Sequence, residues 1–570
     1  MFLLLLLSVA SALLEMAGVT STLPFMALAS NPQQLEQPGR LHLLYVWLGS
    51  PELQYFLFGL GVLVLSALTL SNLLVAFSLW VGYRFSHEQQ QRLSGRLFDS
   101  ILSQRYQWHI SHHHLTQGYH LGQARGLVDS NFRPFLLFLS RICSVILISL
   151  TLAYFNPVAT VGGLFVLGLT YGGAYWVCRR QLLSASLREW HLALEMGKTA
   201  AEPLGGIKHV KLAGTESLYQ DLYSAQLREL AQLQKIKLLA TEVPRLVMHT
   251  LTYGAVLAFV LYLVSRYGGG TELVGQASLY ALAGYRLVPG VQQIFGSLAQ
   301  LESGRPALEQ LHASLQLKAI PQAPLDPVPL PVRQSIELRQ VTFSYTEQPL
   351  FRDLNLLLPA RSCIGLVGAT GGGKTTLVNL LVGLLRPQEG SLCVDGQALS
   401  ETEIRRFGRN IGYVPQDTYL SDDTILNNIG WGEERVDEEA ALRAATLAQL
   451  DEFVLDLPQG YQTLIGERGI RLSGGQRQRI GIARALYRDP EFLVLDEATS
   501  ALDNLTESRV LSAIRSQVGK RTILMVAHRL TTLEACDVIY QIGQGGILAS
   551  GSYGELMKTV GPVPELVAAS

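Results

Sequence analysis

Charge is scarce in this sequence: Asp, Glu, Lys and Arg make up 16% of its 570 residues, against 48% hydrophobic ones. That excludes a disordered chain and an ordinary water-soluble enzyme, and it places part of the polypeptide in lipid. A dominant sign of charge is missing too, since 45 Lys and Arg face 46 Asp and Glu. Without a basic excess no nucleic-acid partner is expected. Cysteine is sparse: Cys143, Cys178, Cys363, Cys393 and Cys536 are scattered and never form a CxxC pair. Neither a disulfide framework nor a zinc site is implied, and buried or membrane-facing thiols are expected.

What the chain does have is length for about two to four domains, and its apolarity is uneven. Long, nearly uncharged stretches fill the first half, and short alternating strands and helices fill the second. The run "LKAIPQAPLDPVPLPV" from Leu317 to Val332 carries repeated prolines, which block helix continuation and favour an extended connector. The expected division is therefore a membrane domain over 1–316, a Pro-rich linker over 317–335 and a second domain over 336–570.

A bilayer core about 30 Å thick needs about 20 apolar residues in a helix. Six stretches approach that length: Phe2 to Phe25, Phe56 to Val81, Phe135 to Phe155, Val158 to Val177, Leu246 to Val264 and Leu273 to Leu298. Asn156 and Pro157 alone separate the third from the fourth, which predicts a tight hairpin. Arg84, Arg92, Arg96, Arg105 and Arg125 lie between the second and third stretches. Arg179, Arg180, Arg188, Lys198, Lys208, Lys211 and Lys235 lie between the fourth and fifth. The positive-inside rule puts both segments on the cytoplasmic side, and six crossings return the chain there. The N-terminal run followed by Ala10, Ser11 and Ala12 is compatible with a secretory signal as well as with a first membrane helix, but no Lys or Arg precedes it. The chain opens almost inside that helix, which leaves room for a preceding cytoplasmic segment.

In the second half, "CIGLVGATGGGKTTLVNLLVGLL" predicts an apolar strand, a glycine-rich turn and an amphipathic helix. Gly368, Gly373, Lys374 and Thr375 satisfy G-x-x-x-x-G-K-[ST]. Glycines, Gly371 among them, let backbone N–H groups wrap a phosphate. The helix N-terminus adds positive dipole, Lys374 reaches the β and γ phosphates, and Thr375, beside Thr376, offers a hydroxyl to Mg²⁺. Downstream, "EFLVLDEATSALD" predicts a buried strand that ends in Asp496 and Glu497. The first carboxylate suits Mg²⁺ and the second suits orientation or deprotonation of an attacking water. Between these two lies "LSGGQRQRIGIARAL", where Ser473, Gly474, Gly475 and Gln476 open a second helix start fit for an anion.

This last run resembles the signature motif of ATP-binding-cassette proteins, and the region from about Ile336 to Leu556 resembles one complete cassette. The resemblance implies a membrane all-α six-helix domain joined to an α/β P-loop ATPase of the ABC type, with ATP and Mg²⁺ as cofactors. It implies that Tyr345 stacks on adenine and that Gln416 senses Mg²⁺ and water. Asp503 closes the "SALD" loop at a dimer interface, and His528 contacts the γ-phosphate. The family's head-to-tail arrangement implies a homodimer in which each ATP lies between one chain's phosphate loop and the other's Ser473 and Gly475. Thr463 to Gly469 is similar to the exporter form of the loop before the signature, and Pro203 to Gln220 to the exporter segment that docks on a cassette.

The membrane half says less about cargo. Buried charge in a membrane helix usually marks a pathway. Arg286 lies roughly 21 Å from the outer end of its helix at 1.5 Å per residue, while Arg84 and Arg245 sit nearer the inner mouth, where positive-inside anchoring also explains them. Arg141 is open to either reading. Arginines that face a cavity suit phosphate or pyrophosphate because their planar donors can be bidentate. The histidines His109, His112, His113, His114 and His120 lack a completing Cys or acid and are expected to be solvated.

The fragments "LPFMALAS", "YRFS", "VPRL" and "YRLVP" resemble PglK-type bacterial flippases of lipid-linked oligosaccharides. That resemblance implies a cytoplasmic-membrane protein of a bacterium that moves a polyprenyl-pyrophosphate-linked saccharide, with Arg84, Arg286 and more weakly Arg245 as pyrophosphate contacts. The segment from Asn31 to Pro51 is open as an external helix for the lipid tail or as an interfacial cap. Export of another lipid, a drug or a peptide, and a membrane-anchored ATPase regulator that transports nothing, are the alternatives.

Overall fold

The computed structural model describes residues 52–112, 126–155, 157–267, 271–316, 328–527, 530–543 and 545–560, and isolated positions at 6–7, 9–14, 16, 25, 28, 45–47, 118 and 121–122. These fall in two compact units, one within Met1–Gln104 and His112–Ile320, the other within Arg105–Ser111 and Pro321–Ser570.

The first unit is helical. It contains α1 (Leu53–Leu102), then, past the short α2 (Tyr106–Ser111) that belongs to the second unit, α3 (Arg133–Phe155), α4 (Pro157–Gly205), α5 (Ile207–Ala213), α6 (Glu216–Tyr267) and α7 (Thr271–Leu315). The second to sixth apolar stretches lie within α1, α3, α4, α6 and α7; most of the first lies outside the described residues. Among the described residues, helices over Leu53–Leu102, Val128–Tyr154 and Thr160–Gly205 are long and apolar enough to cross a membrane.

Their large apolar side chains point outward, with Tyr154 86% and Trp176 81% exposed, as a hydrocarbon solvent allows. Inward contact is made by small clusters around α7: Leu287 against Ile148 and Leu152 of α3, Phe295 against Tyr171 of α4, and Ala299 against Leu182 of α4 and Ala240 of α6. Glycine permits the close approach of α7, because a Cβ at Gly304 would lie 2.7 Å from the Ser130 carbonyl oxygen.

The second unit is α/β. A four-stranded antiparallel sheet in the order β2-β1-β4-β5 joins β1 (Ser335–Phe343), β2 (Phe351–Pro359), β4 (Glu389–Val394) and β5 (Gln397–Ala398). A six-stranded sheet in the order β10-β9-β3-β8-β7-β6 joins β3 (Cys363–Gly368), β6 (Ile411–Val414), β7 (Phe492–Asp496), β8 (Thr522–Val526), β9 (Val538–Gly543) and β10 (Gly546–Gly551). All its pairings are parallel except that of β10 with β9. β7 and β8 are buried at every position, as expected of strands covered on both faces. Parallel strands bring their C-terminal ends to one edge, the place where open α/β sheets bind ligands. The loops after β3, β6 and β7 all emerge there.

Candidate functional site

β3 ends at Gly368 and the chain turns through Gly371 (φ +79°) and Gly373 (φ +92°) into α8 (Lys374–Leu381). Only glycine fits this turn. The φ values are left-handed, and a Cβ would lie 2.2 Å from the Ile542 carbonyl oxygen at Gly368 and 2.8 Å from the Phe351 ring at Gly373. Lys374, 6% exposed, donates from Nζ to the Gly368 carbonyl at 2.7 Å and the Ala369 carbonyl at 3.1 Å. The lysine thus closes the loop on itself. Burial pushes its ammonium below the ordinary value, while Glu497 and Asp496 pull it back up. Thr375 is exposed beside it and Thr376 is buried, with the Tyr345 hydroxyl 3.4 Å from the Thr376 hydroxyl. The Tyr345 ring is half exposed and stands edge-on to Phe343 at 5.0 Å.

One strand beyond β8, Asp496 ends β7 and is 4% exposed. The Tyr413 hydroxyl donates to its Oδ2 at 3.3 Å, and Tyr413 is itself pushed above its ordinary value, first by burial and then by Asp496. Glu497 follows with φ +53°, a left-handed backbone that costs a non-glycine residue about 1 kcal/mol or more. Gln416, just past β6, donates from Nε2 to Glu497 Oε2 at 2.8 Å. Two residues 81 positions apart are thereby joined at the same sheet edge.

The signature residues form a separate cluster. Ser473 caps α13 (Gly474–Tyr487), where α9 (Glu401–Gly408), α10 (Ile425–Ile429), α11 (Glu438–Leu447) and α12 (Asp451–Leu455) are the intervening helices. The Ser473 side chain accepts from Gln476 N at 3.2 Å, and Gln476 Oε1 accepts from Ser473 N at 2.8 Å, which makes a capping box. A Cβ on Gly475 would lie 3.1 Å from Leu502 Cδ2, and one on Gly474 3.3 Å from Ala501 Cβ. These glycines therefore admit the 501–502 loop. Asp503 caps α14 (Asn504–Arg515), accepting from Thr506 N at 3.0 Å, and that hydrogen bond holds its carboxyl below the usual range. His528 lies outside the described residues.

Several contributors carried no signal of their own in the sequence. Gln478 donates to the Ser500 hydroxyl at 3.1 Å and accepts from Ala501 N at 3.0 Å, fixing the loop against α13. Half-buried Arg484, drawn down to about 10 by desolvation, donates to the Asn428 and Tyr419 carbonyls and lies 5.0 Å over the Trp431 ring. Arg105, just before α2, pairs with Glu401 at 3.0 Å, as does Arg386 at 2.9 Å. The segment Arg105–Ser111 thus joins the second unit, whereas α5, inside the stretch expected to dock on a cassette, belongs to the first and leaves Leu212 88% exposed.

In the helical unit, exposed Arg84 pairs with Glu88 at 3.1 Å and exposed Arg245 with Glu242 at 2.6 Å. The Arg286 side chain lies outside the described residues, as do His113, His114 and His120. A cavity of about 260 Å³ between α1, α3 and α7 is lined by Arg133 and Arg141 with Ser78, Tyr83, Ser140 and Gln293. Arg141 Nε donates to Gln293 Oε1 at 2.8 Å, and the Arg133 guanidinium lies 5.8 Å over the Tyr83 ring. Two turns of α3 separate these arginines. The composition of each span was visible in the sequence, but the face each residue presents depends on packing.

The model of the ABC transporter family matches residues 351–500. The ATP-dependent lipid A-core flippase of Saccharophagus degradans is 33% identical over 417 residues, which is 72% of this chain and 68% of the relative. The flippase of the same name from Desulfotalea psychrophila is 39% identical over 281 residues, 49% of each chain, so that match spans about half the relative's length. A solved structure of a bacterial Atm1-family ABC exporter with ATP bound has a TM-score of 0.76 and 25% identity, and the likeness covers 98% of this chain and 95% of that one. Phosphate loop, strand-end acid pair, capped signature helix and apolar helices thus occur in an exporter's order along an exporter's length, and the chain belongs to the ABC transporter family, as an exporter-type half-transporter whose ATPase drives transport.

Proposed function

We propose that the protein is a homodimeric flippase that moves a phosphorylated, saccharide-bearing lipid from the cytoplasmic to the outer leaflet of a bacterial inner membrane, with a polyprenyl-pyrophosphate-linked oligosaccharide as cargo. The observation that carries this reading is the cavity where Arg133 and Arg141 stand among Ser78, Tyr83 and Gln293 in otherwise apolar helices. Guanidinium groups there match an anionic head group bidentately while hydroxyls and amides suit sugar or phosphate oxygens. Relatives named lipid A-core flippases support a lipid cargo, and a lipid A-type glycolipid is the second reading. Arg84 and Arg245 serve better as inner-mouth anchors, each already holding a carboxylate.

A homodimer follows from one phosphate loop and one signature per chain. ATP bound at Lys374 is completed by the partner's signature helix, and the exposed leucines beside and within α5, Leu204 and Leu212, give a surface for docking on the partner's cassette. Thr375 and buried Asp496 supply the hard oxygen donors that suit Mg²⁺, with Gln416 beside them, and Tyr345 packs on adenine. Glu497 orients and deprotonates water, held by Gln416, and His528 contacts the γ-phosphate. In liposomes that carry a fluorescent polyprenyl-pyrophosphate saccharide, ATP should expose the label to a glycosidase outside. Intact ATPase with no change in exposure overturns the cargo assignment, and exposure of a lipid A-type glycolipid alone selects the second reading.

A further inference from the structure

Two of the five cysteines, 173 positions apart, meet in the ATPase core with Cys363 Sγ 3.3 Å from Cys536 Sγ. They are 2% and 7% exposed, and both are free thiols. Cys363 opens β3, the strand that ends in the phosphate loop, and Cys536 lies in the turn between the 3-10 helix Leu530–Leu533 and β9. The backbones are already tied: Asp537 N donates to the Cys363 carbonyl at 2.8 Å, and Cys363 N donates to Asp537 Oδ2 at 2.8 Å. Met525 Sδ lies 3.8 Å from Cys363 Sγ. The hydrogen bond between the two thiols holds Cys363 below its ordinary value and Cys536 above it; burial and the Asp537 carboxylate push both up, and the Arg515 guanidinium, whose buried Nε has no hydrogen-bond partner among the described residues, pulls both down. What sets this pair apart is geometry: at 3.3 Å the sulfurs are close enough for one, once oxidised, to be attacked by the other. In a cytoplasmic domain such a pair is more often a sensor than a staple.

We propose that Cys363 and Cys536 form a reversible intrachain disulfide that slows ATP turnover when the protein meets a peroxide-class oxidant. The Cys363 thiolate attacks one peroxide oxygen and breaks the O–O bond; the departing hydroxide takes up the proton the thiol gave, and the product is a sulfenic acid and one water. The Cys536 sulfur then displaces the sulfenic hydroxyl, which leaves as a second water with the Cys536 proton. Two thiols and one hydrogen peroxide thus become one disulfide and two waters, the thiols losing the two electrons that the peroxide gains.

Closing 3.3 Å to a bond of about 2.05 Å ties the start of β3 covalently to the turn before β9. There is little slack to absorb this, because a Cβ at Gly365 in β3 would lie 3.0 Å from Leu533. β3 carries that covalent tie at one end and, at the other, Gly368 and the loop that holds Lys374.

The test uses the full-length protein in lipid nanodiscs treated with hydrogen peroxide. Mass spectrometry should find a peptide linked through Cys363 and Cys536, and ATP turnover should fall about tenfold, as small displacements near a reacting centre do, and return with dithiothreitol. Cys536→Ala and Cys363→Ala should each keep their turnover in peroxide. Absence of the linked peptide, a linked peptide with turnover unchanged, or equal loss in the variants overturns the proposal. Should either variant fold poorly, the wild-type linkage and its reversal by reductant decide alone.

Discussion

In the ATPase unit β7 buries all five residues from Phe492 to Asp496, whereas in the helical unit α1, no less apolar, exposes Phe58, Leu65 and Trp80 and buries Ser71, Gly82 and Ser86. Water surrounds the first and lipid the second, so the same side chains take opposite sides. Function is therefore found by opposite signs. In the ATPase unit it lies where a buried strand ends in a charge, as at Asp496. In the membrane it lies where polar side chains turn inward, as Ser140 and Arg141 do.

The contrast breaks first at Glu497. Glu497→Gln keeps the side-chain shape and the strained φ but removes the base, so ATP turnover should fall by about 10²- to 10³-fold while nucleotide binding persists. Steady-state ATPase and equilibrium nucleotide binding, measured on the same preparation, check this, and a near-normal rate would detach Glu497 from the chemistry. Glycines sharpen the contrast next. Gly373→Ala sets a Cβ 2.8 Å from the Phe351 ring at φ +92°, which should cost about 1–3 kcal/mol and most of the ATP affinity. Gly172→Ala in α4 meets nothing within 4 Å and should shift thermal unfolding by little or slightly upward. Arg141→Ala should reduce cargo stimulation of ATP turnover by about 10- to 10²-fold, the worth of one charge-assisted hydrogen bond of about 1.5–3 kcal/mol, and Arg141→Lys should recover only part of it.

How much of this was legible beforehand also differs between the units. The phosphate loop, Asp496 and Glu497 could be placed from sequence because local order, strand then turn then helix, fixes their position. The hydrogen bond between Gln416 and Glu497 could be named only by resemblance, since it joins two strand ends 81 positions apart. In the membrane half, counting along a helix gave the depth of each arginine but not its azimuth. Arg84 and Arg245 turn outward to carboxylates of their own helices, while Arg133, never singled out, lines a cavity. Cys363 and Cys536, far apart in the chain, meet in the fold, a tertiary fact that no spacing rule contains. Arg105–Ser111 likewise joins the ATPase unit through Glu401, a partner that no periodicity indicates.

A predicted effect of about 1 kcal/mol separates scaffold from chemistry within the ATPase unit. Ser400 and Ser473 build the same device, a capping box closed by Glu403 in one case and Gln476 in the other. Removing either hydroxyl frees one backbone donor at a helix start and should cost about 1 kcal/mol in stability. If both serines only hold helices, Ser400→Ala and Ser473→Ala will match in unfolding free energy and both will leave ATP turnover near normal. If Ser473 also faces the partner's nucleotide, its variant alone will lose turnover at equal stability, because Ser400 heads a helix that carries Arg105's partner Glu401 and no nucleotide motif. Denaturant unfolding and ATPase rates for the two variants side by side make that distinction, and equal rates would remove Ser473 from the composite site while leaving the cap intact.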